Sequence, residues 1–197
     1  MIHFSNLQLM KESRHKLAPH AGLAVLVSFI YVLLLTFVSI FENEDLGLFS
    51  LLISGPLGLG MTLFSLTIHR QEDPQLNQLF EGFQSFLKSF LAYLSLVILI
   101  ILGILFFIIP GIIISLGFSM TFYVMAERPE LSFVQCMGES WNLMQGHKLK
   151  FLGLWLRFVP WYILGFLCFG VGVLLVIPWN YVATAAFYEA IKKDKEV

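Results

Sequence analysis

Charged residues are scarce in this sequence. Only 13% of its 197 residues are Asp, Glu, Lys or Arg, whereas 58% are hydrophobic and 20 are Phe. A soluble globule of this size would need far more polar residues to cover its surface. The composition therefore predicts an integral membrane protein, and the length suits a single bundle without a separate soluble domain.

The sequence also lacks the patterns on which several function classes depend. No basic stripe interleaved with aromatic residues appears outside the predicted loops, so we expect no nucleic-acid binding. Neither an H-E-x-x-H nor a C-x-x-C motif is present, so we expect no metal site and no cofactor. Ser115, Ser119 and Thr121 have no His or acidic residue at membrane depth to activate them. We therefore expect no catalytic residues and no enzyme activity.

Four apolar runs supply the predicted membrane spans. The first, residues 18–41, is too long for the core of a signal peptide and is followed by no A-x-A-like cleavage site, so we expect it to remain as a span. A second run covers residues 46–68. Residues 89–126 carry no charge, and the only charged residue in 151–188 is Arg157. Each of these longer runs exceeds one crossing and barely suffices for two.

The placement of Lys and Arg decides whether Pro110 and Gly111 kink one helix or turn a hairpin. Lys and Arg collect on the cytoplasmic flanks of spans. If residues 89–126 and 151–188 both form hairpins, every Lys and Arg except Arg157 falls on one side. A kink would move the cations of the next loop to the other side and remove this asymmetry. We therefore expect a turn at Pro110 and Gly111.

The predicted fold is an all-α membrane protein with six transmembrane helices in three hairpins. We expect the chain to cross the cytoplasmic membrane of the cell, with both termini in the cytoplasm and the acidic loop at residues 42–45 outside. The predicted spans are residues 18–41, 46–68, 87–109, 112–126, 151–169 and 173–190.

Two connectors are predicted to form short amphipathic helices in the cytoplasmic interface, at residues 74–83 and 132–146. Asp73 can cap the first, with Pro74 at its first position. Ser132 and Gln135 form a capping-box pattern at the start of the second. These helices could gate, dock a partner or hold lipid headgroups, or they could simply cover the end of the bundle. The apolar face of the second helix consists of Phe133, Met137, Trp141 and Met144.

Arg157 is the one charge placed inside a predicted span. Its long side chain could reach back to the inner interface. Alternatively, it could pair with Glu189 on the sixth span or bind an anionic lipid phosphate, because a guanidinium suits either partner.

Prolines interrupt the last two spans. Pro160 and Pro178 should loosen the helical hydrogen bonding around them, as hinges or turns do. Together with Asn180 and Tyr181 they could line a polar recess.

Three segments of the sequence resemble the bacterial membrane family catalogued as domain of unknown function 975. They read "FIIPGIIISLGFSMTFYVMAERPEL", "ESWNLMQGHKLKFL" and "GVGVLLVIPWNYVATAAFYEAIK", and the resemblance covers roughly residues 55–193. It implies a polytopic membrane protein of Gram-positive type bacteria. The family lends no established chemistry, and the amino-terminal part, including the first span, departs from its usual pattern.

Two functions remain open. The first is a non-catalytic membrane protein that binds membrane lipids, a protein partner or a second copy of itself, or that acts structurally. The alternative is a transporter or channel component for a neutral solute or a lipid. A water-accessible path past Asn180 and Tyr181 would favour transport, whereas a closed bundle with an exposed apolar groove would favour binding.

Overall fold

The described part of the chain is built of helices. The computed structural model describes residues 5–41, 48–106, 108–168 and 170–196, and every regular element in them is helical. Six helices are long and apolar enough to cross a membrane. The all-α class and the number of candidate spans are thus confirmed. The predicted acidic loop at residues 42–45 lies outside the described residues.

The described residues form ten α-helices in sequence, some separated only by a short 3-10 turn. Such turns lie at Ala18–His20 and Gly82–Ser85. The α-helices are α1 Asn6–Leu17, α2 Ala21–Phe41, α3 Leu48–Arg70, α4 Gln78–Glu81, α5 Phe86–Phe106, α6 Ile108–Gly117, α7 Thr121–Glu127, α8 Phe133–Leu143, α9 Lys148–Leu167 and α10 Val173–Glu196.

The centre of the bundle is formed by α3 and α10. In the most apolar stretch of these two helices 72% and 67% of the residues are buried, against 17% for the spans that contain α2 and α5. Glycine lets α4 approach α3 closely, since a Cβ on Gly60 would lie 1.9 Å from the carbonyl oxygen of Leu79. Helices α2 and α5, which lie outside this centre, present apolar side chains away from the core, as a lipid-facing surface requires.

The first helix, α1, was not predicted. Its buried face consists of Asn6, Leu9, Met10, Ser13 and Leu17. At its start, the side chain of Gln8 accepts a hydrogen bond from the backbone N–H of Ser5. This S-x-x-Q pattern followed by apolar residues at helical spacing is the signal that could have revealed it.

A bend separates α1 from α2. Trp179 Nε1 donates to the carbonyl of Met10 at 3.0 Å, and the ring of Tyr181 lies 6.5 Å from that of Tyr31. A straight helix would separate Met10 from Tyr31 by about 31 Å, too far for both to reach neighbouring residues of α10. The axis therefore turns at the 3-10 segment Ala18–His20, and α1 lies against α10.

The predicted helix at residues 74–83 starts later than expected. Neither Asp73 nor Pro74 is helical, and α4 begins at Gln78. The Gln78 side chain accepts from the backbone N–H of Gln75 at 3.2 Å and donates to Thr67 Oγ1 at 3.0 Å. These bonds hold the segment before α4 in an extended turn against α3, which explains the difference.

Pro110 and Gly111 lie within the first turns of α6 and not at a reversal of the chain. A Cβ on Gly103 would lie 2.8 Å from the Cα of Gly111, whereas one continuous helix would separate these residues by about 12 Å. Gly103 of α5 and Gly111 of α6 therefore lie side by side, and Pro110 belongs to the first turn of α6. A proline is tolerated here because the first turn of a helix lacks acceptors for its N–H groups in any case.

The predicted span at residues 112–126 is broken in the middle. Helix α6 ends at Gly117 and α7 begins at Thr121, so residues 118–120 form a turn. Ser140 of α8 bridges the break, since its hydroxyl accepts from Met120 N at 3.1 Å and donates to Gly117 O at 3.0 Å. One buried side chain thus satisfies two backbone groups that a continuous helix would have paired internally.

Replacing Ser140 with Ala should destabilise the protein. We expect the free energy of unfolding to fall by about 2 kcal/mol, because two buried backbone groups lose their partner. Denaturant unfolding in detergent micelles measures this. The control is Ser115→Ala, whose hydroxyl bonds only to Ile112 within α6, and which should change the value by less than about 0.5 kcal/mol. Equal effects of the two substitutions would contradict the role of Ser140.

Candidate functional site

A cluster of charged side chains joins three helices at one end of the bundle. Arg70, at the end of α3, donates from Nη2 to Glu127 of α7 at 2.9 Å and to Glu189 of α10 at 2.7 Å. Its Nε donates to the same Glu189 oxygen at 2.9 Å. One guanidinium therefore connects both carboxylates.

Glu127 has three different hydrogen-bond partners in this cluster, one of which is Arg70. It also accepts from Lys192 Nζ at 2.7 Å and from the hydroxyl of Tyr188 at 2.6 Å. Its side chain is only 17% exposed. We call the end of the bundle that carries these residues the charged end.

Further contacts bring other cations to the charged end. Lys16 of α1 donates to the carbonyl of His69 at 2.9 Å, and Lys88 of α5 donates to that of Pro129 at 2.9 Å. Lys195 donates to the carbonyl of Asn142. Cations from the segments that were predicted to share one side are therefore neighbours in the structure.

Arg157 and Glu189 are not brought together. Glu189 is paired with Arg70, while Arg157 is exposed and donates from Nη1 to the carbonyl of Gly153, one turn earlier, at 3.3 Å. Both Arg70 contacts are made to Oε1 of Glu189, and Arg157 instead bonds within its own helix. Arg70 and Glu189 both lie at the predicted cytoplasmic ends of their spans. This shared position is the sequence feature that could have indicated their contact.

The predicted apolar face of α8 packs largely on the protein. Met137 and Met144 are buried, and Phe133 packs against the core. The ring of Trp141 lies 5.2 Å from that of Phe118, and Lys148 Nζ lies 3.4 Å from its centre. The capping box at the start of α8 is confirmed, since Ser132 N donates to the Gln135 side chain at 2.8 Å. This placement agrees with the alternative in which the helix covers the end of the bundle.

The residues of the predicted recess line a cavity. Asn180 and Tyr181 lie in the wall of a cavity of about 420 Å³ between the helices, which we call the polar cavity because ten of its fifteen lining residues carry a side-chain hydroxyl or amide; Leu35, Phe122, Phe151 and Trp155 supply apolar surface. Pro160 and Pro178 lie inside α9 and α10.

A second, apolar cavity opens between the bend at α1 and α2 and the facing helices α9 and α10. It forms a groove of about 460 Å³. The walls along α9 and α10 each follow about 10 Å of helix, from Trp161 to Cys168 and from Gly172 to Trp179. We call this cavity the groove; it is lined by Arg14, Leu17, Ala18, Ala21, Trp161, Leu164, Gly165, Cys168, Gly172, Leu175, Val176 and Trp179.

Among the described residues that line the groove, Arg14 is the only charged one. It forms no ion pair with any described residue, and its guanidinium carbon lies 6.0 Å from the centre of the Trp179 ring. Lys16, two residues later, is paired with Glu12 at 2.9 Å. Of Arg14 and Lys16, Arg14 is therefore the cation available to bind an anion.

No group of three or more His, Cys, Asp or Glu side chains in the described residues is arranged to hold a metal ion. His147, close to the charged end, lies 3.6 Å from Asp194, yet burial lowers its pKa below the usual value. Burial therefore favours the neutral imidazole of His147, whereas the Lys and Arg side chains of the charged end carry positive charge.

Neutralising Glu127 should weaken the charged end. Glu127→Gln keeps the shape of the side chain but removes the charge that Arg70 and Lys192 share, so we expect the free energy of unfolding to fall by about 2 kcal/mol. The matched control is Glu139→Gln. Its carboxylate is 45% exposed and lies 3.9 Å from Arg128, so the loss should stay below about 0.5 kcal/mol. Thermal and denaturant unfolding in micelles compare the two variants, and indistinguishable losses would contradict the assignment.

The sequence comparisons give a family and no function. The chain matches the family described as Protein of unknown function (DUF975) over residues 93–195, more than half of its length. No curated protein and no solved structure matches it. The match begins within α5, later than the resemblance suggested, and includes Glu127, Asn180 and Glu189 but not Arg14 or Arg70. This chain belongs to the DUF975 family of proteins of unknown function.

Proposed function

We propose that this protein is a non-catalytic, multi-pass membrane protein that binds an anionic lipid in the groove. One observation carries the proposal: an apolar groove contains a single cation, Arg14, which has no carboxylate partner in the described residues. An acyl chain matches the apolar walls, and a phosphate matches the guanidinium.

The surroundings of the groove favour a lipid. Leu164 and Leu175 of its walls are more than half exposed, and Phe166 and Leu167 beside it are exposed to over 70%. In a membrane such a surface faces acyl chains. A lipid can therefore enter the groove sideways from the bilayer without crossing a polar barrier.

For the topology we propose three helical hairpins with both termini in the cytoplasm of a bacterial cell. The hydrogen bonds that Lys16, Arg70, Lys88 and Lys192 donate to carbonyls and carboxylates support this arrangement, because they hold cations from four helices at the charged end. A concentration of Lys and Arg favours the cytoplasmic side. On this arrangement Lys16 of α1 reaches the charged end, α4 and α8 cover the inner end of the bundle, and the groove extends from Arg14 toward Cys168 and Gly172 at the opposite end.

Native mass spectrometry of the protein, released from nanodiscs of equal parts phosphatidylglycerol and phosphatidylcholine, tests lipid binding. The wild type should retain phosphatidylglycerol in preference. Arg14→Gln should reduce that preference about fivefold, since one cation near an anionic headgroup contributes about 1 kcal/mol. Lys11→Gln is the matched control, because Lys11 lies on the same helix but not in the groove.

A second pair of variants tests the groove itself. Ala21→Trp places an indole in the groove and should abolish the retained lipid, whereas Gly22→Trp, at a position where an added Cβ meets nothing within 4 Å, should not. Equal effects in either pair would contradict the proposal. A dimer that Ala21→Trp converts to a monomer would also contradict it, since the groove would then bind a second copy of the chain.

A further inference from the structure

We infer that the polar cavity is a binding site for an uncharged, hydroxyl-bearing solute. The cavity lies between the central helices α3 and α10 and the outer helices α2, α5 and α9. Its wall carries five tyrosines, four serine or threonine residues and one asparagine. Its volume of about 420 Å³ is in the range of small-molecule sites. This site is separate from the groove, and the inference does not depend on lipid binding.

The wall contains a hydrogen-bond donor that the protein leaves unused. Asn180 is 9% exposed, and its side-chain oxygen accepts from Thr184 Oγ1 at 3.4 Å. The amide nitrogen of the same side chain donates to no described residue, although the residue lines the cavity. This nitrogen is not one of the sealed polar atoms that lack a partner in the described residues, which are Asn6 Oδ1, Ser28 Oγ and His69 Nδ1, so it is accessible from the cavity. A ligand with an acceptor oxygen would satisfy it.

Other polar groups of the wall are held in place by the protein. The hydroxyl of Tyr123 donates to the carbonyl of Tyr181 at 3.1 Å, and Thr184 Oγ1 donates to that of Asn180 at 2.9 Å. These bonds fix the side chains on α7 and α10 before a ligand arrives. Such preorganisation lowers the entropy that binding must overcome.

The broken helix borders the same cavity. Ser119 lies in the turn between α6 and α7 and contributes to the wall. Non-helical backbone at membrane depth is tolerated where it is buried in protein or lines a polar cavity. Interrupted helices also frame the solute sites of many membrane transporters. Ser140 holds this interruption open from the side of α8.

The chemistry of the wall selects against charged ligands. None of the residues that line the cavity is Asp, Glu, Lys, Arg or His. The nearby charges of Arg70, Glu127 and Glu189 are bonded to one another at the charged end. An ion in the cavity would therefore lose its hydration without gaining a counter-charge. Hydroxyl groups and tyrosine phenols can both donate and accept, and the rings offer flat apolar faces.

Cysteine chemistry can test this with a probe of the predicted class. In a Cys136→Ser, Cys168→Ser background, Thr184→Cys should react with the uncharged reagent 2-hydroxyethyl methanethiosulfonate. The rate should exceed those of the sulfonatoethyl and trimethylammonioethyl reagents by about tenfold or more, corresponding to a barrier of at least about 1.4 kcal/mol against the ions. Each rate is corrected for the reactivity of the reagent with a free thiol. Ser54→Cys provides a second position in the wall.

Two controls make the result decisive. Gly138→Cys, on an exposed part of α8 outside the cavity, should react with all three reagents at similar corrected rates. Asn180→Leu, a substitution of similar volume, should slow the uncharged reagent at Thr184→Cys about tenfold, because the free amide donor is lost. The unfolding temperature verifies that this variant folds.

Three results would overturn the inference. The first is similar corrected rates for all three reagents at both wall positions, which indicates an open aqueous pocket. The second is no reaction of the uncharged reagent at either position, which indicates a closed core. The third is an unchanged rate in a folded Asn180→Leu variant, which indicates a cavity that holds only water.

Discussion

The Glu127 carboxylate is the contact on which the arrangement of the bundle depends most. It receives hydrogen bonds from Arg70, Tyr188 and Lys192 and so ties α3, α7 and α10 together at one end. Two of these helices form the buried centre. Both the groove and the polar cavity have walls on α10. The position of α10 relative to its neighbours therefore decides the shape of both sites.

A second constraint follows from the membrane, where a backbone group without a partner cannot bond to water. The break between α6 and α7 meets this constraint through the hydroxyl of Ser140. The same constraint explains the glycines at which helices touch, such as Gly60 against Leu79, where any side chain would separate the backbones. The connector helices are thus part of the bundle and fix features of the membrane region.

Much of this fold could be predicted from local features of the sequence. Apolar length predicted the six candidate spans, and the S-x-x-Q pattern predicted the start of α8, because both depend on nearby residues. The interpretation of Arg157 shows the limit. Its proposed partner, Glu189, is bonded to Arg70, and that contact joins residues 119 positions apart. The break after Gly117 likewise depends on Ser140, a partner from another helix. Asn180 and Tyr181 could be predicted to line a recess because they follow Pro178 in a predicted span. The tyrosines that other helices contribute to the same cavity could not be predicted.

Cysteine accessibility on intact bacterial cells tests the central claim most directly, namely that the charged end faces the cytoplasm. In the Cys136→Ser, Cys168→Ser background, a membrane-impermeant maleimide should label Val171→Cys, which lies at the opposite end between α9 and α10 and is 66% exposed in the wild type. It should label Gly138→Cys on α8 only after the membrane is permeabilised. Labelling of Gly138→Cys on intact cells, with Val171→Cys protected, would contradict the account, because the charged end would then lie outside the cell.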